Sequence, residues 1–247
     1  MYWLIESEEQ LQTLEKIKYE DVFVELIPLS NTIHPVENSI CSLYIRPLKS
    51  TKGFMVTTSH SETLSVDINS IVRVLNTFKT IYVRDKKEFL HYLILKNLYD
   101  ITLTQPPYIQ SYTQTHSLFY KLFPNKKNIN RIIPIVKHYE YCEKTFETLK
   151  PRINEPINNF YNNKATVVFN AIERNGIRID RKEFEPRFHN VDSDYVYGQF
   201  NFKTLTTRPS NRFKGVNYAA INKENGDRKP IIPSNDFLFE LDISAYH

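Results

Sequence analysis

The chain has 247 residues, 41% of them hydrophobic and 24% charged, with a formal net charge of +4. That much apolar material builds one or two cores and excludes an intrinsically disordered chain, while the small positive charge permits a polyanionic partner without requiring one. The sequence has no long apolar run and no signal-peptide pattern, so a soluble cytoplasmic protein is expected rather than a membrane-spanning or secreted one.

Three apolar, β-branched runs, Val22–Ile27, Ser39–Pro47 and Gly53–Thr58, are separated by short polar connections and predict an antiparallel meander. Ser65–Phe78 follows, with apolar side chains at Val66, Ile68, Ile71, Val72, Leu75 and Phe78, a helical spacing. The strand "TIYV" and a helix capped by Asp85 come next, giving the order βββαβα of a sheet with helices on its faces. From about Arg131 the pattern turns helical. "VKHYEYCEKTFETLK" ends at Pro151, and a second helix opens at Pro156 and closes on Gly176, a good residue for the position just past a helix end. "IRID" then reads as a short strand or turn.

The two cysteines, Cys41 and Cys142, sit in unrelated contexts without a CxxC, so neither a zinc site nor a disulfide scaffold is indicated. His34, His60, His91, His116 and His138 each stand alone in the sequence and read as ordinary surface or helix residues. Sixteen Tyr and sixteen Phe supply core volume and also stacking surfaces for nucleic acid.

The basic character concentrates between Asn201 and Lys229. There Lys203, Arg208, Arg212, Lys214, Lys223, Arg228 and Lys229 face only Glu224 and Asp227. Within "TLTTRPSNRFKGVN" the hydroxyls of Thr204, Thr206, Thr207 and Ser210 and the amides of Asn211 and Asn217 interleave with these cations. The inventory suits phosphate oxygens, because guanidinium forks, hydroxyls and free backbone N–H groups all donate to them; a solvated basic hairpin has the same composition. Downstream, "FLFELDISAYH" places Asp242 at the end of an apolar strand, with Glu240 two residues earlier. A carboxylate there, beside a basic region, is a common way to hold Mg²⁺ against phosphates, and a plain helix cap has the same spacing.

The segment Thr204–His247 resembles the start of the palm in family A DNA polymerases, the DNA polymerase I class. The order matches element by element: Thr204, Thr206, Thr207 and Arg208 at the T-x-T-G-R motif, Ser210 and Asn211 after it, and Gly215 and Asn217 in the following turn. Arg228 then stands before an apolar strand, and Asp242 to His247 fall on motif A. Upstream, "KATVVFNAIERNGIRID" resembles the E-x-x-G-I-x-[VI]-D signature before the thumb, on Glu173, Gly176, Ile177, Ile179 and Asp180. Thr207 replaces the family's Gly before the arginine, and only Arg181–Lys203 fills the place of a long helical thumb.

The resemblance implies a DNA-directed DNA polymerase, a nucleotidyltransferase of phage or viral type acting in DNA replication, with deoxynucleoside triphosphates and primer–template DNA as partners. Asp242 would be the catalytic metal ligand of a two-metal Mg²⁺ site. Thr204, Thr206, Arg208, Ser210, Asn211, Arg212, Lys214, Asn217 and Arg228 would contact nucleic acid, and His247 occupies the position that governs nucleotide selectivity. The second catalytic Asp and the fingers helix come after motif A in the family. The site is therefore expected to be completed by further polymerase sequence, in the same or a second chain, with replisome proteins as further partners and no membrane.

The first half is similar to the 3′–5′ exonuclease domain that such enzymes carry, a ribonuclease H-like mixed α/β sheet with flanking helices. Its carboxylate set is incomplete. Glu25 stands at the first acidic position, Ile27 replaces the second, Phe89 replaces the acid of the next motif, and Asp100 is a relic of the third. The expected organisation is a degenerate exonuclease-like domain over 1–130, a helical connector with a vestigial thumb over 131–200, and the start of the palm over 201–247. The competing reading is a non-catalytic DNA-binding accessory protein derived from a polymerase.

Overall fold

The computed structural model describes residues 2–16, 20–95, 105–111, 123, 126–153, 164–202, 204 and 208–239. The chain divides into two compact units, Met1–Ala171 and Ile172–His247.

The first unit is a mixed α/β layer structure. In chain order it contains β1 (Trp3–Ile5), α1 (Glu8–Lys16), β2 (Asp21–Pro28), β3 (Ile40–Pro47), β4 (Phe54–Thr57) and α2 (Ile68–Leu75). These are followed by β5 (Thr80–Val83), α3 (Lys86–Tyr92), β6 (Tyr108–Ser111), α4 (Ile129–Ile132) and α5 (Ile135–Leu149). The strands form one six-stranded sheet in the order β1-β4-β3-β2-β5-β6. β3 runs antiparallel to both of its neighbours, whereas β5 is parallel to β2 and β6 to β5. Leaving β1 aside, the order β4-β3-β2-β5-β6 is the mixed sheet with flanking helices that the sequence predicts.

The predicted meander is β2-β3-β4, and its central strand explains why "VFVELI" is a continuous apolar run. β2 is covered on both faces, and such strands lose the polar–apolar alternation of a half-exposed sheet. Val22, Val24 and Leu26 pack in one cluster with Leu11 and Leu14 of α1, Ile71 and Val74 of α2, and Phe89 and Leu90 of α3. Phe23 and Ile27 point into a second cluster with Tyr141, Cys142 and Phe146 of α5. Each such fully buried side chain contributes roughly 1.5–3 kcal/mol of transfer free energy.

The helix expected over Ser65–Phe78 is α2. Its start is fixed by Asp67, whose carboxylate accepts from the backbone N–H groups of Asn69 and Ser70 at 2.9 and 3.2 Å. Asp85 does the same for α3, accepting from Glu88 N at 3.2 Å. β1 and α1 carry little sequence signal: the strand is three residues long, and only Leu11 and Leu14 of α1 are buried. Among the described residues, no helix is long and apolar enough to cross a membrane.

Helix α6 (Thr166–Asn175) runs through the division between the units. Its end follows the sequence expectation: Gly176 adopts φ +65° and lets the chain leave the helix. Pro156, the expected start, lies outside the described residues. The second unit continues with β7 (Ile177–Arg178), α7 (Arg181–Phe184), β8 (Tyr195–Val196), β9 (Gln199–Asn201) and β10 (Ser210–Arg212). Its small core gathers Ile179, Phe184, Val191, Val196, Tyr218 and Ile221. Residues 230–232 lie along the strand after Gly176, with Asp180 N donating to Pro230 O at 2.8 Å and Ile232 N to Arg178 O at 3.1 Å.

Candidate functional site

The exonuclease-like reading directs attention to Glu25, the one acid in the run Val22–Ile27. A carboxylate on a central strand covered on both faces loses its hydration and must find partners within the protein. Glu25 is 2% exposed and finds two. Arg84, immediately after β5, approaches its Oε1 with Nε at 3.0 Å, and the Tyr141 hydroxyl on α5 donates to the same oxygen at 3.0 Å. The far end of the guanidinium reaches Glu88 of α3 at 2.5 Å. Helix α3 thus presents Glu88 one turn after Arg84, and the parallel pairing of β5 with β2 brings Arg84 beside Glu25.

Electrostatically this is a buried cation closed between two acids. Burial pushes the Glu25 carboxyl up to about 7, opposed by the adjacent guanidinium and reinforced by Glu88. Arg84 stays charged, because Glu25 and Glu88 outweigh the cost of its burial. Folding therefore favours the neutral form of Glu25. Its contribution to stability is fully present below the ordinary glutamate range and falls as pH rises through about 7. We expect Glu25→Gln to remove a pH-dependent loss on the order of 3 kcal/mol between about pH 4.5 and 7. Denaturant unfolding at several pH values measures it; parallel wild-type and variant curves would contradict the assignment.

A two-metal hydrolytic site needs several carboxylates converging on open coordination positions. The pocket here is lined by Val24, Glu25, Leu26, Val83, Arg84, Asp85, Glu88 and Phe89. Arg84 already occupies the space between Glu25 and Glu88, and the Asp85 carboxylate is engaged in capping α3. Ile27 and Phe89, at the positions where the resemblance would put acids, are buried among apolar neighbours at 0% and 2% exposure. These residues do not fit Mg²⁺. Asp100 lies outside the described residues.

Arg84 and Tyr141 were not identified from the sequence. A lone acid in an apolar strand signals that a buried partner exists, but the partners lie 59 and 116 residues away and no local spacing selects them. Of the single histidines, His91 and His138 lie on helices as expected, whereas His34 and His60 are not surface residues. His34, His60, His91 and His138 are all buried, at 0%, 6%, 8% and 0% exposure, with the His34 and His91 rings in contact at 5.7 Å and those of His60 and His138 at 5.0 Å. His116 lies outside the described residues.

In the second unit, Ser210–Arg212 pairs antiparallel with Gln199–Asn201. The chain then turns through Lys214 and Gly215, at φ +49° and +83°, with Phe213 and Val216 exchanging backbone hydrogen bonds at 3.1 and 2.9 Å. Two successive residues with positive φ are the signature of a tight hairpin turn that matches strand twist. The pleat separates the expected nucleic-acid contacts. Ser210 and Arg212 are exposed, as are Arg208 and Lys214, while Asn211 is turned inward at 2% exposure. Asn211 packs so closely on Gly198 that a Cβ there would meet its amide nitrogen at 2.3 Å.

Thr204 Oγ1 donates to the Arg208 carbonyl at 2.7 Å. Asn217 precedes the short 3-10 turn Tyr218–Ala220, and exposed Arg228 donates through Nε to Ile221 O at 3.0 Å. Thr206, Asp242 and His247 lie outside the described residues. Of the expected apolar strand before Asp242, Phe237, Leu238 and Phe239 are described; they carry no strand pairing and are 75%, 64% and 79% exposed.

No protein-family profile and no curated protein matches this chain. Solved structures do align with it. Escherichia coli RNase D, an exoribonuclease involved in structured RNA processing, aligns at 9% identity over 56% of this chain and 33% of that chain, with a TM-score of 0.31. Brucella melitensis NrnC aligns at 12% identity over 64% of this chain and 84% of its own, with a TM-score of 0.37. The POL domain of Pol1 from M. smegmatis, in complex with DNA primer–template and dNTP, aligns at 13% identity over 75% of this chain and 34% of that chain, with a TM-score of 0.40.

Proposed function

We propose that this chain is part of a family A DNA-directed DNA polymerase whose exonuclease-like unit has become a hydrolytically silent scaffold. The observation that supports the silent unit is the Arg84 guanidinium, held at 3.0 Å from Glu25 and 2.5 Å from Glu88 where a nuclease needs metal cations. The polymerase half of the reading rests on motif order: the Glu173–Asp180 signature, the basic hairpin and Asp242.

Two features of the second unit agree with it. Gly176 takes the left-handed conformation that the G of the signature allows, and Asp180 caps α7 by accepting from Lys182 N at 3.0 Å. Arg208, Arg212 and Lys214 then stand exposed on one hairpin, suited to primer–template phosphates. In this reading Asp242 is the ligand of Mg²⁺, which when bound supplies charge neutralisation at the incoming triphosphate. Asp242 by itself supplies one carboxylate of such a two-metal site.

Two measurements test the halves separately. The purified chain should leave labelled single-stranded DNA intact in Mg²⁺ or Mn²⁺; degradation that co-purifies with it would overturn the silent scaffold. In the complete polymerase, Asp242→Ala should abolish primer extension while primer–template binding persists, and Arg208→Ala should weaken binding and reduce the salt slope by about one. Extension retained by Asp242→Ala would sink the metal-ligand role. An accessory protein would instead bind DNA and show no extension in any form of the complete protein.

A further inference from the structure

Away from the Arg84 cluster, the sheet and α5 bring together three side chains that the sequence scatters. Cys41 of β3, His60 in the turn after β4 and His138 of α5 each place a donor atom within 4.8 Å of the others. All three are buried, and the two rings stand edge to face with centroids 5.0 Å apart. Cys41 is a free thiol.

The two imidazoles are held differently, His138 by one ring nitrogen and His60 by both. His138 Nδ1 lies 2.8 Å from the Ser42 hydroxyl, and its Nε2, fully buried, has no hydrogen-bond partner. An orphaned buried ring nitrogen is costly and is rarely left without something to use it. His60 Nε2 donates to the Ile133 carbonyl at 3.0 Å, which puts its lone pair on Nδ1. That lone pair accepts a hydrogen bond from Glu62 N at 3.2 Å, which a metal would have to replace.

We infer that Cys41, His60 and His138 form a binding site for a borderline-soft divalent cation, Zn²⁺ in the first instance, that ties α5 to the sheet. The donor set decides the class of ion: one thiolate and two imidazoles suit Zn²⁺ and disfavour Mg²⁺ or Ca²⁺, which take oxygen ligands. Both rings already possess the outer hydrogen bond that a ligating histidine needs to fix its tautomer, from Ser42 and from the Ile133 carbonyl. Tetrahedral zinc requires donors about 3.3–3.6 Å apart, so closing the site asks for side-chain shifts of about an ångström. On binding, the Cys41 S–H bond breaks, its proton leaves to buffer, and an S–Zn bond forms. His60 exchanges the Glu62 N–H hydrogen bond for the metal, and water takes the fourth position. The site is separate from the Mg²⁺ of the polymerase reading and stands whether or not that reading holds.

The test uses the full chain, purified without a metal column, stripped with a chelator and titrated first with Co²⁺ and then with Zn²⁺. One equivalent of Co²⁺ should give the visible bands of tetrahedral cobalt and a thiolate-to-cobalt band, both bleached by Zn²⁺. Excess Zn²⁺ should raise the unfolding midpoint by roughly 5–10 °C. Cys41→Ser should lose the thiolate band, and Cys142→Ala, which removes the other cysteine, should keep it. Wild-type protein that shows no thiolate band at one equivalent overturns the site, whatever the variants do. So does a band that survives Cys41→Ser and disappears in Cys142→Ala. If Cys41→Ser does not fold, His138→Gln is expected to lose at least tenfold in cobalt affinity, and unchanged affinity there also overturns it.

Discussion

Arg84→Met is expected to destabilise the first unit by about 3 kcal/mol at pH 8, and by less at pH 5. At pH 8 the Glu25 carboxyl, pushed up to about 7, is ionised, and Arg84 is its charged partner at 3.0 Å. Removing the guanidinium leaves a buried carboxylate with the Tyr141 hydroxyl and no cation. The group then takes up a proton rather than stay charged, which limits the loss. At pH 5 Glu25 is already neutral in the parent, so the variant forfeits chiefly the Arg84–Glu88 contact.

The double variant Glu25→Leu with Arg84→Met should recover most of the loss, since replacing a buried pair by apolar side chains of similar volume is often neutral or better. Denaturant unfolding of the four proteins at both pH values completes the cycle. A loss independent of pH, or a double variant as unstable as the sum of the singles, would mean that Arg84 acts through packing alone.

What could be read in the sequence follows from how locally each feature is determined. The meander, α2 and the end of α6 are set by neighbouring residues: β-branched runs between turns, the cap at Asp67, and Gly176 at φ +65°. A local code can be read without knowing the fold. The hairpin at Lys214-Gly215 belongs to the same class, since its composition signalled a turn and the structure supplied one. The sites are different. Glu25 meets Tyr141 only because α5 crosses the face of β2, and Cys41 meets His138 only because the same helix passes β3. Such meetings depend on helix placement across more than ninety residues, and no spacing rule describes it.

Gly53→Ala is expected to cost about 3 kcal/mol or more, one of the larger effects available from adding a single methyl group. Gly53 precedes β4, and its backbone needs no glycine on conformational grounds; the constraint is space. A Cβ there would lie 2.1 Å from the Tyr44 hydroxyl oxygen and 2.2 Å from both Cε2 and Cζ of the same ring. The ring cannot step aside easily. Tyr44 is fully buried in the cluster under α5, its hydroxyl donates to Glu143, and Tyr139 of α5 packs edge-on against it at 6.0 Å.

Relief of the clash identifies its source. Tyr44→Phe deletes only the oxygen, and the remaining ring carbons still meet the new methyl, so Gly53→Ala with Tyr44→Phe should stay as unstable as the single variant. Gly53→Ala with Tyr44→Leu removes the ring edge and should be less than additive, recovering 1 kcal/mol or more of coupling. Thermal and denaturant unfolding of these variants would separate the two outcomes. Equal behaviour of the Phe and Leu doubles would show that the ring moves freely and that β4 tolerates the methyl by shifting away from β3.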